Sequence, residues 1–257
     1  MRYLKQRIKD GETVFGCWIN LGSSVSAEII GLAGFDWVLI DLEHGCGTES
    51  KAFQQIQVLE HSTATTIVRV ESYERQRFHR VLDFGAEGIM CPRIKTPQEA
   101  QKVANALCYS PEGVRGVAKM VRATNFGNNF SDYYANTKKN TVGIVQIETQ
   151  ESLNCLDEIA AIDGIDVLFV GPADLSMALG IYDQFDHPLF LEALKETARA
   201  AKKAGKATGV LMSDPDQYGK YHSLGFQLLA CGADAAFVNN GARSMIKALK
   251  SERGLNT

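Results

Sequence analysis

No run of about 20 apolar residues occurs in this chain, so nothing in it meets the length a membrane-crossing helix needs. The amino terminus, MRYLKQRIKDGETVF, interleaves charges where a secretory signal requires an apolar core, which predicts a soluble, cytoplasmic protein. Basic residues are not in excess: 27 Lys and Arg against 30 Asp and Glu leave a formal charge of −3. With no basic block either, the attraction for phosphate that drives nucleic-acid binding has no source. CxxC pairs are absent. Cys17, Cys46, Cys91, Cys108, Cys155 and Cys231 sit mostly inside apolar stretches, the pattern of reduced, buried thiols rather than of disulfides or a zinc knuckle. Two phosphate-cradling signatures are missing as well, since no GxGxxG follows the first apolar run and no GxxxxGK[ST] occurs anywhere.

What the chain does contain is a rhythm. Short runs rich in Val, Ile and Phe recur at 15–20, 37–41, 66–70, 88–93, 142–147, 167–170, 208–212 and 226–231. Each is followed by a polar turn and a stretch with helical spacing, at 24–33, 49–61, 73–84, 96–108, 151–161, 188–204, 215–224 and 242–250. The runs are continuous rather than alternating, as expected of parallel strands covered on both faces. Eight such units in 257 residues predict a single α/β domain over 1–257, a (β/α)₈ TIM barrel. The segment 235–239 is an alternative eighth strand. One stretch breaks the pattern: 109–141 is too long for a plain connector and is read as a functional or interface loop.

In a barrel of this kind the carboxyl ends of the strands converge on one face, so the polar residues there are the chemical candidates. They are Asp41, Glu43 and His44 in IDLEHG, Arg69 in IVRV, Arg93, Gln146 and Glu148 in VQIETQ, and Asp174 in FVGPADLS. Neighbouring strands lie about 4.8 Å apart, close enough for one divalent ion to bridge Glu148 and Asp174. Two hard oxygens with open positions suit Mg²⁺ or Mn²⁺, with Co²⁺ also in range. Taken singly, Asp174 serves equally well as a helix cap and Glu148 as a partner for the next helix's positive end. His44 at a strand end beside acids suits acid–base work, and Arg69 suits the stabilisation of developing negative charge. His61, His79, His187 and His222 fall on helices or loops and carry no chemistry.

Six ordered blocks resemble the HpcH/HpaI aldolases, metal-dependent pyruvate aldolases built on this barrel: GFDWVLIDLEHG, IVRV, LDFGAEGIMCPRIKTPQEA, YSPEGVRGVAKMVRATNFG, VQIETQESL and VGPADLSMALG. The resemblance implies that Glu148 and Asp174 ligate the metal and that Arg69 contacts the keto oxygen of pyruvate. His44 becomes the acid–base residue, supported by the carboxylates of Asp41 and Asp83, the latter reaching across a subunit boundary in some relatives. Gln146, Gly171 and Ala173 become substrate-binding positions, with amides around the last two holding the pyruvate carboxylate. It further implies a homo-oligomer, a hexamer of swapped-helix dimers, acting on pyruvate, an aldehyde and their 4-hydroxy-2-oxo acid adduct.

Three other readings fit the sequence less well. A Schiff-base aldolase needs a desolvated lysine at the barrel mouth, and no predicted strand ends in one. A CoA-ester lyase of the citrate lyase type must hold a nucleotide tail, for which no extra segment is evident. A non-catalytic ligand-binding barrel gives no reason to keep Glu148, Asp174, Arg69 and His44 together. Arg93, Lys95 and Arg115 are expected around the mouth, favouring a short aldehyde that is hydroxylated or anionic. Phe126, Phe130, Tyr133 and Tyr134 in the long loop are expected at a subunit contact.

Overall fold

A computed structural model describes residues 3–253. Eight parallel strands pair in chain order: β1 (Val14–Ile19), β2 (Trp37–Asp41), β3 (Thr65–Arg69), β4 (Gly88–Cys91), β5 (Val142–Ile147), β6 (Val167–Val170), β7 (Ala207–Met212) and β8 (Leu228–Ala233). The barrel closes where β1 runs beside β8, Val14 opposite Leu228 and Phe15 opposite Leu229. The expected (β/α)₈ architecture is therefore the observed one. Every residue of β2, β4, β5 and β6 is buried. Side chains facing inward meet the barrel interior and those facing outward meet helices, so no polar alternation is tolerated.

The helices are α1 (Leu4–Lys9), α2 (Ser24–Leu32), α3 (Glu49–Leu59), α4 (Arg75–Phe84), α5 (Pro97–Leu107), α6 (Phe130–Asn140), α7 (Gln150–Leu153), α8 (Leu156–Ala160), α9 (Pro172–Ala178), α10 (Pro188–Lys203), α11 (Tyr218–Ser223) and α12 (Asp234–Glu252). Inside the barrel, Trp18 lies 5.6 Å from Phe169 and 5.9 Å from Trp37, centroid to centroid. Gly16 makes room for this cluster, because a Cβ there would run into the Trp37 ring. At the amino-terminal end, Lys5 closes the barrel floor with its ammonium 2.9 Å from Asp166 and 3.0 Å from the carbonyls of Lys138 and Thr141.

Several local expectations change. The segment 109–141 is not a bare loop: it carries a short 3₁₀ turn (Arg122–Thr124) and α6. The helix expected over 151–161 is two short ones: α7 opens where Thr149 and Ser152 cap each other's backbone and ends at Asn154, and α8 starts after Cys155. Helices α1 and α9, of 6 and 7 residues, are too short to show a period. Residues 235–239 belong to α12, which starts at Asp234 instead of 242 because Gly241 does not interrupt it. Of the six thiols, only Cys17 and Cys91 are buried, and Cys46 is exposed. The thiols within these residues form no disulfide, and burial raises the Cys17 thiol pKa to about 12.

Candidate active site

The mouth of the barrel is organised around Arg69. It ends β3 opposite Asp41, which ends β2. The guanidinium donates from Nε to Asp41 Oδ1 at 2.9 Å and from Nη2 to Oδ2 at 2.7 Å. Its Nη1 lies 3.1 Å from Glu43 Oε2 and 3.4 Å from Gln146 Oε1, and its centre lies 5.8 Å from the Trp18 ring centroid. Burial works against the charge of Arg69, but the hydrogen bond and charge of Asp41 outweigh it and raise its pKa. Asp41 also accepts the amides of Glu43 and His44, so it folds back the turn that carries both residues. Asn20, just past β1, donates to Asp41 Oδ2 at 3.3 Å, while its own Oδ1 is buried without a partner.

Across the mouth stands Glu148, just past β5 and 3 % exposed. Oε1 accepts the Arg93 amide at 2.7 Å and Oε2 accepts from Gln146 Nε2 at 2.9 Å. Thr149, not Glu148, caps α7, which leaves the carboxylate free to face the mouth. Burial pushes its pKa to about 7, with the charges of Asp174 and Glu43 adding to the rise. Asp174 lies in the first turn of α9, where Gly171 holds the cap position, so the capping alternative for Asp174 does not apply. Gly171 itself must lack a side chain: a Cβ would collide with Glu148 Oε2 and come within 3.1 Å of Gln146 Nε2. The result is a small oxygen-lined cradle with surplus negative charge. Among the described residues no three His, Cys, Asp or Glu groups cluster as a complete metal cage. Two carboxylates beside an open cradle, one of them buried and short of positive charge, fit a hard divalent ion that keeps positions for other ligands.

The remaining candidates divide. His44 is at the mouth, its side chain 67 % exposed and Nε2 3.7 Å from Glu43 Oε2. Its nearest acid is thus Glu43 rather than Asp41, whose oxygens are taken by Arg69 and backbone. Glu43 was visible as a strand-end acid but had no role assigned; its burial raises its pKa. Asp83 lies near the end of α4, at the opposite end of the barrel from His44 of the same chain, and pairs with Arg115 at 2.9 Å. Arg115 does not border the mouth. It is buried against Tyr109 and Tyr133, 4.6 and 5.4 Å from their ring centroids. Arg93 is at the mouth, while Lys95 points to Glu151, 3.8 Å away. Tyr133 bonds Arg115, and Phe130 stacks on Tyr134 at 6.1 Å, so the loop aromatics largely cover one another, with Phe126 and Tyr134 still exposed.

The HpcH/HpaI aldolase/citrate lyase family model matches residues 14–241. The chain is 37 % identical over 242 residues to a hydroxypyruvate/pyruvate aldolase of Roseobacter denitrificans, covering 94 % of each. It is 35 % identical over 235 residues to a 5-keto-4-deoxy-D-glucarate aldolase of Shigella boydii, covering 91 % of each. A crystal structure of an HpcH/HpaI aldolase/citrate lyase family protein from Burkholderia cenocepacia superposes with a TM-score of 0.91 at 35 % identity, over 96 % of this chain and 98 % of that one. With family model, relatives and barrel in agreement over nearly its whole length, this chain belongs to the HpcH/HpaI aldolase/citrate lyase family.

Proposed function

We propose that the protein is a divalent-cation-dependent aldolase that reversibly cleaves a 4-hydroxy-2-oxo acid into pyruvate and an aldehyde. The observation that carries this reading is the convergence of Glu148 and Asp174 on a side-chain-free cradle at Gly171, facing Arg69. Glu148 and Asp174 would hold Mg²⁺ or Mn²⁺, with Co²⁺ as a further option, and a bound ion supplies Lewis acidity to the 2-keto group. Arg69, locked by Asp41 and Glu43, offers a fixed positive charge to the same oxygen as electrons flow toward it. The amides around Gly171 and Ala173, at the start of α9, receive the pyruvate carboxylate. His44 takes the proton from the 4-hydroxyl as the carbon–carbon bond opens, the bonding pair passes to C3 as an enolate, and a proton added to that carbon completes pyruvate; addition reverses these transfers, with Glu43 as the neighbour of His44. Gln146 couples the two halves by accepting from Arg69 and donating to Glu148.

The curated relatives support a pyruvate-type donor. A homo-oligomer completes the reading. Helix α12 has 19 residues, of which only Asp234 is buried, and Val238, Met245, Ile246 and Leu249 lie exposed on it at helical spacing. Val25, Ile29 and Leu32 of the neighbouring α2 are exposed too. Apolar surface of that extent calls for a second copy of the chain. The proposal is tested by incubating the protein with a panel of 4-hydroxy-2-oxo acids and Mg²⁺ or Mn²⁺. Pyruvate and aldehyde released in equal amounts support it; cleavage confined to CoA thioesters contradicts it.

A further inference from the structure

At the amino-terminal end of the strands, opposite the mouth, a cleft of about 1280 Å³ opens between α1, α6, α10 and α11. Seven lysines and one arginine line it against two aspartates. These cations come from separated stretches of the chain, so no basic block marks them in a sequence whose formal charge is −3. Folding alone gathers them. Neither α2 nor α12 contributes to the walls, so the apolar face that calls for a second copy leaves the cleft open.

The two carboxylates are already engaged. Asp166 pairs with Lys5 at 2.9 Å and accepts the Gly143 amide at 2.9 Å, while Asp163 lies 3.5 Å from Lys138. Lys9, Lys139 and Lys202 have no ion-pair partner among the described residues. Lys206 is half-buried and donates to the Ile162 carbonyl at 3.2 Å instead of to a carboxylate. Burial lowers its pKa, the charges of Asp166 and Asp163 oppose the fall without cancelling it, and Lys5 and Lys9 deepen it. Stability gives no reason to crowd like charges around a half-buried ammonium. An anion seated among them relieves the repulsion, and a concave, low-dielectric wall focuses their field on it.

The kind of cation indicates the kind of anion. Carboxylates are matched best by the planar fork of arginine, whereas lysine ammoniums are point charges on flexible stems that close around the tetrahedral oxygens of phosphate. A nucleobase finds little to stack on, because Phe226 is buried and His222 lies against Tyr218 at 5.1 Å. We infer that this cleft is a binding site for a small polyanion of two or more linked phosphate groups, separate from the mouth and independent of the aldolase reading.

The test is calorimetric titration with tripolyphosphate at low salt, using protein passed over a chelating resin so that no divalent ion draws the probe to Glu148 and Asp174. Wild type should bind one tripolyphosphate per chain, more tightly than citrate, and saturating pyruvate should not displace it. The Lys9→Gln, Lys202→Gln, Lys206→Gln triple variant should bind roughly 10- to 100-fold more weakly, the range for losing three partly exposed charge contacts. A second triple variant, Lys51→Gln, Lys102→Gln, Lys119→Gln, removes the same charge from exposed positions outside the cleft and should bind nearly as wild type does. Lys139→Gln with Lys202→Gln, both exposed, repeats the test with no buried packing at stake. Absence of binding, equal weakening in the two triple variants, or displacement by pyruvate overturns the site. Citrate binding as tightly as tripolyphosphate overturns its preference for phosphate.

Discussion

Asp41 and Arg69 face each other on the last rung shared by β2 and β3, joined by two hydrogen bonds of 2.9 and 2.7 Å. A strand pairing thereby becomes a site: the register that closes the barrel also aligns a cation with the carboxylate that fixes it. Asp41 is 1 % exposed, so its oxygens are satisfied by this partner and by nearby amides rather than by water. Removing one member leaves the other buried and uncompensated.

Asp41→Ala should therefore destabilise the protein by about 3–5 kcal/mol, and Asp41→Asn by less, because the amide oxygen still accepts one of the two bonds. Urea denaturation measures both. A loss below about 1 kcal/mol for the alanine variant would show that Arg69 finds another anchor.

Stability of the cation-free protein should depend on pH through Glu148. Burial sets its folded pKa near 7 against 4.5 for the ordinary group, so between these values the folded state holds a proton that the unfolded state has lost. The contribution of this group is greatest below pH 4.5 and disappears as pH rises through 7, by about 3 kcal/mol at the limit. Thermal melts of chelator-treated wild type and Glu148→Gln between pH 5 and 8 check the sign. The difference between them should shift in favour of the glutamine variant as pH rises.

Gly171→Ala isolates the cradle. Its φ of −88° suits alanine, so the backbone accepts the change, but the new methyl would displace Glu148 Oε2. Aldol cleavage should fall at least about 100-fold. The urea midpoint should move far less than in Asp41→Ala. Near-normal turnover would mean that Glu148 does not need its present position.

Sedimentation of the wild-type protein at micromolar concentration should show an oligomer, a hexamer on the family pattern. Ile246→Glu with Leu249→Glu, both on the exposed stripe of α12, should shift it toward smaller species. A fully active wild-type monomer would remove both the interface and any intersubunit role for Asp83.

The barrel was legible because its strands are buried on both faces: GIMC and VLFV leave no polar gap to hide the pattern. Arg69, Asp41, Glu148 and Asp174 were legible for a related reason, as the first polar residues after apolar runs have to emerge at one rim. Arg115 was not. Its neighbours in sequence resemble those of a surface loop, and only the packing of Tyr109 and Tyr133 shows it buried on Asp83. The positive φ of Arg93 and the turn of Glu43 toward Arg69 are likewise products of tertiary contact. The start of α12 was not legible because the apolar run 235–239 suits a strand as well as a helix, and only its position directly after β8 settles it as helix from Asp234.

The most direct test of the account is pyruvate release from a 4-hydroxy-2-oxo acid by protein stripped of cations and then resupplied with Mg²⁺ or Mn²⁺, comparing wild type with the Glu148→Gln, Asp174→Asn double variant. The account predicts that wild type loses activity on stripping and regains it on resupply, while the double variant stays inactive at every cation concentration and borohydride with pyruvate traps no lysine adduct. Undiminished release after stripping, full activity of the double variant, or a trapped lysine adduct would contradict it.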